Sequence, residues 1–302
     1  MVRARGGAFA RRAGAGSAVL EQHDAVLAPA KRLEAQGFRV TRLAPDAQGI
    51  VHADALADAL GDDPVLVSVQ AANSEVGSIQ PVADLARVAH DAGALMHTDA
   101  VQAVGKVPLD VRKLDVDAAS FSAHKIGGPK GVGALYLRAR TPFAPQMLGG
   151  GQEGGRRSST QNVCGIAGFA AACAAAADRV EGERSRLAAL RDRLYAELAR
   201  LGGVNPTVAV APGSLDFLPN IVHVIAEDCE SETLILRLDM LGFGVSGGSA
   251  CSSHSLEPSH VLKAMGVSGD RAHGALRVSM GRYTTAEDVD AFLAAMPKAL
   301  DW

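Results

Sequence analysis

A chain of 302 residues is long enough to bury a substantial core and by length suggests about two domains. Its 48% hydrophobic and 21% charged residues describe an ordinary globular protein, and a net charge of −3 gives it no pull toward nucleic acid or an anionic membrane surface. The four cysteines, Cys164, Cys173, Cys229 and Cys251, are scattered without CxxC pairing, which argues against a disulfide framework or a cysteine zinc site and suits a reducing cytoplasm.

Residues 1–20 read as a divergent or disordered leader. Met1 to Ser17 holds Arg3, Arg5, Arg11 and Arg12 and no acid, like a transit peptide, but it lacks that class's amphipathic period. From there strands and helices alternate. Asp24–Gln36 has helical spacing (Val26, Leu27, Ala30, Leu33), with His23 just before it, and Arg39–Leu43 reads as a strand. Asp54–Leu60 is a short helix and Val65–Gln70 an apolar strand. Pro81–Ala92 is a helix with proline at its start and Gly93 past its end. Ala94–Thr98 and Ala118–Phe121 are strands, and Val132–Leu137 is the hairpin partner of the second. This alternation predicts an α/β fold with a mostly parallel sheet.

At Val163 the texture changes. Val163–Ala177 is the longest apolar run, short for a membrane span, and two Ala/Leu/Arg helices are expected up to Leu201. Beyond the loop Gly202–Pro219 come the strand Asn220–Val224, helices Ser231–Met240 and Pro258–Met265, the strand Ala275–Ser279 and the helix Thr285–Leu300. Residues 21–180 thus form a large domain and 181–302 a smaller α+β domain.

In a parallel α/β sheet, ligands bind at the C-terminal ends of the strands. Here three strands deliver polar groups at that edge: Asn73, Ser74 and Glu75; then Asp99 and Gln102; then Ser122, His124 and Lys125. Singly, each is better read as a cap or turn residue. Together they offer a carboxylate, amides, hydroxyls, an imidazole and an amine. Pyridoxal 5'-phosphate needs such a set: a lysine for a Schiff base, a carboxylate for its ring nitrogen, and donors for its phosphate and ring hydroxyl. In "SAHKIGGPKG" the second lysine, Lys130, belongs to the Gly/Pro turn, and Lys125 comes just before it, close to the strand end that carries Ser122 and His124.

The segments "EQHDAVL", "ANSEVGSIQP", "HTDAVQAVGK", "SFSAHKIGGPKGVGALYLR", "GGGQEGGRRSSTQNV", "SGGSACSSHSLEPSHVLKAMG" and "LRVSMGRYTT" occur in the order found in cysteine desulfurases. From about Glu21 onward the chain resembles the NifS/IscS-like branch of the class V aminotransferases. That resemblance implies a fold-type-I pyridoxal-phosphate enzyme whose large domain binds the cofactor and whose smaller C-terminal domain carries a catalytic cysteine. It implies Lys125 as the Schiff-base lysine, Asp99 at the pyridine nitrogen, Gln102 at the ring hydroxyl and His23 stacked on the ring. Ser122 and His124 would bind the phosphate, and Thr160 the phosphate of a second subunit's cofactor in a homodimer. Arg277 would clamp the substrate carboxylate, with Asn73 and Ser74 beside substrate and cofactor. Cys251 would take sulfur from L-cysteine as a persulfide, leaving L-alanine, and pass it to an acceptor protein, an iron–sulfur scaffold or a tRNA thiolation enzyme. No direct nucleic-acid contact, membrane or metal is expected, and the compartment implied is the cytoplasm.

The residues around Cys251 support that role, because a run of small polar residues is a loop and not a core. Cys164 and Cys173, on the Ala-rich helix, read as structural, and Cys229 lies between Asp228 and Glu230, a poor field for a thiolate. Arg282 rivals Arg277 but reads as a solvated turn residue. The chain departs from the family pattern at Ser74, where a second Asn is usual, at Gly154, where an Arg is common, and at Ser159, where a Gly is common. The family's N-terminal Gly-Thr phosphate turn is not found among the residues before His23.

Other readings are a selenocysteine lyase or aminotransferase within the cofactor class, or an inactive homologue serving as a binding subunit. Gly149-x-Gly151-x-x-Gly154 fits a dinucleotide pattern but opens no helix after a strand. Gly244-Val245-Ser246-Gly247-Gly248, followed by Asp270 and His273, fits a serine-hydrolase elbow but runs into a polar loop instead of a helix.

Overall fold

The computed structural model describes residues 16–20, 23–248 and 259–301, the first stretch as backbone only. Six strands form the large sheet: β1 (Gly16–Leu20), β2 (Arg39–Leu43), β3 (Pro64–Gln70), β4 (Leu95–Asp99), β5 (Ala118–Ser122) and β6 (Gly133–Leu137). Their order is β2-β1-β3-β4-β5-β6. The first five run parallel, and β6 returns antiparallel to β5 as the expected hairpin partner.

Between the strands run α1 (Asp24–Glu34), α2 (Ala53–Ala59) and α3 (Val82–Asp91). In α3 the apolar residues Val82, Leu85, Ala86 and Ala89 recur at helical spacing and are buried. They close over Val67, Val69, Met96 and Ala119, which project from one face of the sheet. The period of two puts Ser68, His97 and Ser120 on the opposite face. There the His97 ring bridges three strands, with Nδ1 2.8 Å from Ser68 Oγ and Nε2 2.9 Å from Ser120 Oγ. Burial lowers this imidazole to about 4.

One helix, α4 (Val163–Leu198), spans 36 residues where two were expected. Nothing in its sequence stops it: no proline lies inside, and Gly182 costs only about 1 kcal/mol. Its first half is rich in small residues and lies close to the turn after β5. A Cβ on Gly168 would fall 2.7 Å from Pro129, and one on Gly128 would fall 3.2 Å from Ala172 Cβ. By length and composition the helix would pass for a membrane span. Its second half, however, buries Leu187, Leu190, Leu194 and Leu198 in the core of the smaller unit. The domain boundary expected at residue 180 therefore falls inside a helix that serves both units.

The smaller unit is the antiparallel sheet β7 (Val204–Pro206), β8 (Ile221–Ala226) and β9 (Ala275–Ser279), in that order. Against it pack α5 (Ser231–Met240) and α8 (Ala286–Leu300), the latter opened by a capping box between Thr285 and Asp288. Two short helices, α6 (His260–Ala264) and α7 (Gly269–Ala272), carry Val261, Leu262 and Ala272 into a third cluster with Val76 and Phe217. Arg191 is fully buried and ties α4 to the loop before β8. It donates to the carbonyls of Phe217 at 3.0 Å and Ser214 at 3.2 Å, and to Asp192 Oδ1 at 2.8–2.9 Å.

Two sequence expectations change. The leader does not extend through residue 20, since Gly16–Leu20 is an inner strand paired on both sides, by β2 and β3. Neighbours supply its pairing, so its own five residues show little signal. The elements β7 and α7 were not anticipated, being too short to show a period.

Candidate functional site

The C-terminal ends of β3, β4 and β5 are locked side by side. The Ala71 amide donates to the Asp99 carbonyl at 2.7 Å, and the Ala100 amide to the Ser120 carbonyl at 3.0 Å. Asp99 ends β4 on the sheet face that carries His97. Its Oδ1 accepts from the Val101 amide at 3.0 Å. Burial raises its carboxyl above the usual range, while that amide and the charge of His23 pull it back. His23 caps α1, with Nδ1 accepting from the Ala25 amide at 3.1 Å, so the helix start brings an imidazole beside the strand end.

After β5 the chain makes a 3-10 turn, Ala123–Ile126, stopped by Gly127 at φ 81°. The turn carries His124 and Lys125, both exposed. Ser122 Oγ lies 2.8 Å from His124 Nδ1. Burial lowers the His124 imidazole, helped by the nearby charges of Lys125, Lys130 and Lys106. Lys130 stands exposed in the following turn, as its Gly/Pro context predicts. The helical turns after β4 bring Gln102 and Lys106 to the same place: Lys106 Nζ donates to Gln102 Oε1 at 2.9 Å and to its carbonyl at 3.0 Å.

A second group of side chains follows β3. Asn73 is buried, and its Oδ1 accepts from the amides of Glu75 at 2.7 Å and Val76 at 3.0 Å, so that oxygen is committed to the turn. The Ser74 carbonyl accepts from Arg277 Nη1 at 2.8 Å. Burial lowers the Arg277 guanidinium, Glu75 opposes that, and Arg277 Nε is buried with no hydrogen-bond partner among the described residues. Arg277 also pairs through its backbone with Ser246, donating at 2.6 Å and accepting at 3.2 Å. Cys251 lies outside the described residues.

Arg282 stands apart from Arg277. Its guanidinium stacks 4.6 Å over the Tyr283 ring and approaches Gly127. Thr160 is exposed in the loop before α4, next to Ser159 at φ 92°, a conformation that favours the glycine common in the family.

Of the residues singled out in the sequence, His23, Asp99, Gln102, Ser122, His124 and Lys125 meet at one edge, with Asn73, Ser74 and Arg277 forming the adjoining group. Thr160 joins neither. Three neighbours were not assigned a role from sequence: Lys106, Glu75 and His97. Lys106 had a signal, its spacing of four from Gln102. Glu75 had its place in the polar run after β3 but nothing to show its partners, and His97 had no signal, because both act across distant segments.

The rival motifs find no support. Ser246 Oγ donates to the Gly248 carbonyl at 2.9 Å, and its backbone is paired with β9. Gly149, Gly151 and Gly154 lie in irregular chain around a 3-10 turn with no strand before it. Cys164 and Cys173, expected to be structural, are exposed on α4. Cys229 is half-buried, with Arg237 Nη1 3.8 Å from its Sγ.

The aminotransferase class V family model matches residues 17–292. A cysteine desulfurase of Klebsiella pneumoniae is 44% identical over 280 residues, covering 93% of this chain and 70% of that protein. The cysteine desulfurase IscS of Methanosarcina thermophila is 44% identical over 277 residues, covering 92% of this chain and 68% of that protein. A solved NifS-like protein superimposes with a TM-score of 0.88 at 38% identity, covering 98% of this chain and 77% of that chain.

Proposed function

We infer the chemistry of the site from one premise: the chain belongs to the class V aminotransferase family and is a cysteine desulfurase of the NifS/IscS type, a class of pyridoxal-phosphate enzymes. We propose that the edge formed by β3, β4 and β5 holds that cofactor. One observation carries the reading. A half-buried carboxylate, Asp99, ends β4 beside an imidazole, His23, and next to the turn that presents Ser122, His124 and Lys125.

The donor set fits the group. Asp99 has one oxygen on the Val101 amide, and burial leaves its negative charge in need of a cation, which a protonated ring nitrogen supplies. Lys125 is the exposed amine within reach of the same edge, and the Ser122–His124 pair offers donors for a phosphate. When bound, the cofactor supplies an electron sink for the α-carbon of an amino acid.

The residues divide the remaining work. Lys125 holds the cofactor and then carries a proton to or from the substrate. Gln102 would address the ring hydroxyl, and His23 would cover the ring. Arg277 takes the carboxylate of L-cysteine as a planar fork, and its buried, unpaired Nε is a donor waiting for such an acceptor. Ser74 contributes through its carbonyl, which holds Arg277 in place. The Cys251 thiolate attacks the substrate sulfur, the bond from that sulfur to carbon breaks, and Cys251 keeps the sulfur as a persulfide while alanine leaves. An acceptor protein, an iron–sulfur scaffold or a tRNA thiolation enzyme, then takes it.

We further propose a homodimer. Leu148 is 81% exposed and Val163 69% exposed at the two ends of the polar, glycine-rich loop that carries Thr160, so these two apolar side chains suit contact with a second copy to whose cofactor Thr160 would donate. Free cysteines on the described surface suit the cytoplasm as the compartment.

The purified protein incubated with pyridoxal phosphate tests the reading. The wild type gains a visible absorption band that Lys125→Ala lacks, and with a thiol reductant present to release the persulfide sulfur it forms alanine and sulfide from L-cysteine, which Cys251→Ser does not. A wild type that never takes up cofactor, or a Cys251→Ser variant with unchanged turnover, rejects it.

A further inference from the structure

Lys106 stands at the site without a role in the chemistry described above. It closes the helical turns that begin at Ala100, and its ammonium reaches back four residues to Gln102, touching both the side-chain oxygen at 2.9 Å and the main-chain carbonyl at 3.0 Å. An ammonium has only donors, so the amide atom facing it must be the oxygen. That settles the orientation of Gln102: Oε1 points to Lys106, and the NH2 is the end left to face the cofactor.

We propose that Lys106 is a positioning residue that locks Gln102 with its NH2 toward the cofactor's ring hydroxyl, so that the site favours that oxygen in its ionised form. The proposal rests on the reading that Gln102 meets the ring hydroxyl. An NH2 group can only donate, and a donor stabilises the anion over the neutral hydroxyl. An unlocked glutamine could turn its oxygen to the hydroxyl and favour the opposite state.

The surroundings support a lysine held for this purpose. Burial lowers Lys106 to about 7, with the charge of Lys125 adding to the effect, and above that pH the neutral amine still has two N–H donors for the two Gln102 oxygens. The wall formed by α4 is uncharged here: Ala176 lies against Gly105, and Ala172 against Gly128. Among the described residues the charged groups around the edge are Lys125, His124 and Lys130 from the turn after β5, Asp99 with His23 from β4 and α1, and Arg282 from the loop after β9, whose guanidinium approaches Gly127. Lys106 is therefore the cation that reaches Gln102, and it also places a positive charge near Lys125. Both effects lower the pH at which the bound cofactor loses its proton.

The test is a pH titration of the visible absorption of the cofactor-loaded protein, a readout that a merely structural lysine would not move. Lys106→Met is expected to raise the midpoint by about one pH unit. Lys106→Arg, which keeps a donors-only cation, is expected to stay close to wild type. A Lys106→Met protein that binds cofactor and titrates at the wild-type midpoint overturns the proposal. Should Lys106→Met fail to fold, the unloaded protein gives a second measurement: acetylation of Lys106 followed by peptide mass spectrometry. Gln102→Leu frees the amine and is expected to speed this labelling roughly threefold, and an unchanged rate overturns the proposal. A wild type that takes up no cofactor sinks the reading of the site itself, and a loaded wild type with an insensitive Lys106→Met sinks only the role of Lys106.

Discussion

The buried carboxylate of Glu75 accepts a hydrogen bond from the Ser259 hydroxyl at 2.5 Å, joining positions 184 apart in sequence. Ser259 also caps α6, accepting from the amides of Val261 at 3.1 Å and Leu262 at 3.4 Å. Gly248 approaches the same carboxylate so closely that a Cβ there would lie 3.2 Å from Glu75 Oε2. One acid after β3 thus meets both ends of the stretch that contains Cys251, and it also offsets the desolvation of Arg277.

Replacing Glu75 therefore reaches the segment that contains Cys251 without touching it. Glu75→Ala leaves the half-buried Ser259 hydroxyl short of its acceptor and is expected to cost about 2 kcal/mol in a urea unfolding titration. It is also expected to change the alkylation rate of Cys251, whereas Ser259→Ala costs about 1 kcal/mol through the helix cap. Alkylation of Cys251 at the wild-type rate in Glu75→Ala would show that the two ends are held by other contacts.

Arg277→Lys keeps a positive charge but loses the planar fork. KM for L-cysteine is expected to rise about tenfold or more, with kcat less affected, because a point charge replaces a paired recognition. Steady-state kinetics over a cysteine concentration series checks this, and an unchanged KM would place the substrate carboxylate elsewhere.

Acid should destabilise the fold through two histidines. Burial lowers His97 to about 4 and His223 to about 3, Arg277 adding to the second, against an ordinary value of 6.5. Both are neutral when folded, and the unfolded chain binds the extra protons. The stability they contribute is complete above about pH 6.5 and falls as pH drops toward their folded values, by roughly 1.4 kcal/mol per pH unit for each group. Urea midpoints at pH 7.5, 6 and 5 measure the slope, and His223→Gln is expected to flatten it. An equal slope in the variant would mean that other groups drive the acid response.

Arg191→Met removes a buried cation from Asp192 and from the carbonyls of Ser214 and Phe217. Breaking such a pair from one side is expected to cost about 3–5 kcal/mol, seen as a large drop in Tm. A small drop would mean that water replaces the guanidinium in the loop before β8.

The sequence by itself determined the α/β class and the strands that build the site. Local signals were strong there: β-branched runs such as Val65–Gln70, the spacing of Val82, Leu85, Ala86 and Ala89, and the glycines and proline around Lys130. The order of the long motifs around Lys125 and Cys251 carried the family, which the class V model and the cysteine desulfurase relatives show. Tertiary structure decided what depends on distant partners. Gly16–Leu20 is a strand because two neighbours pair with it, and α4 links the two units because its second half is buried in the smaller core while its first half lies against the turn after β5. Asn73 proved to spend its oxygen on a turn, while Glu75, buried beside Ser259, and Lys106, bonded to Gln102, took places at the site that residue type alone did not reveal. A side chain's type fixes what it can donate or accept, but only the fold fixes which of those bonds are already made and which remain for a ligand.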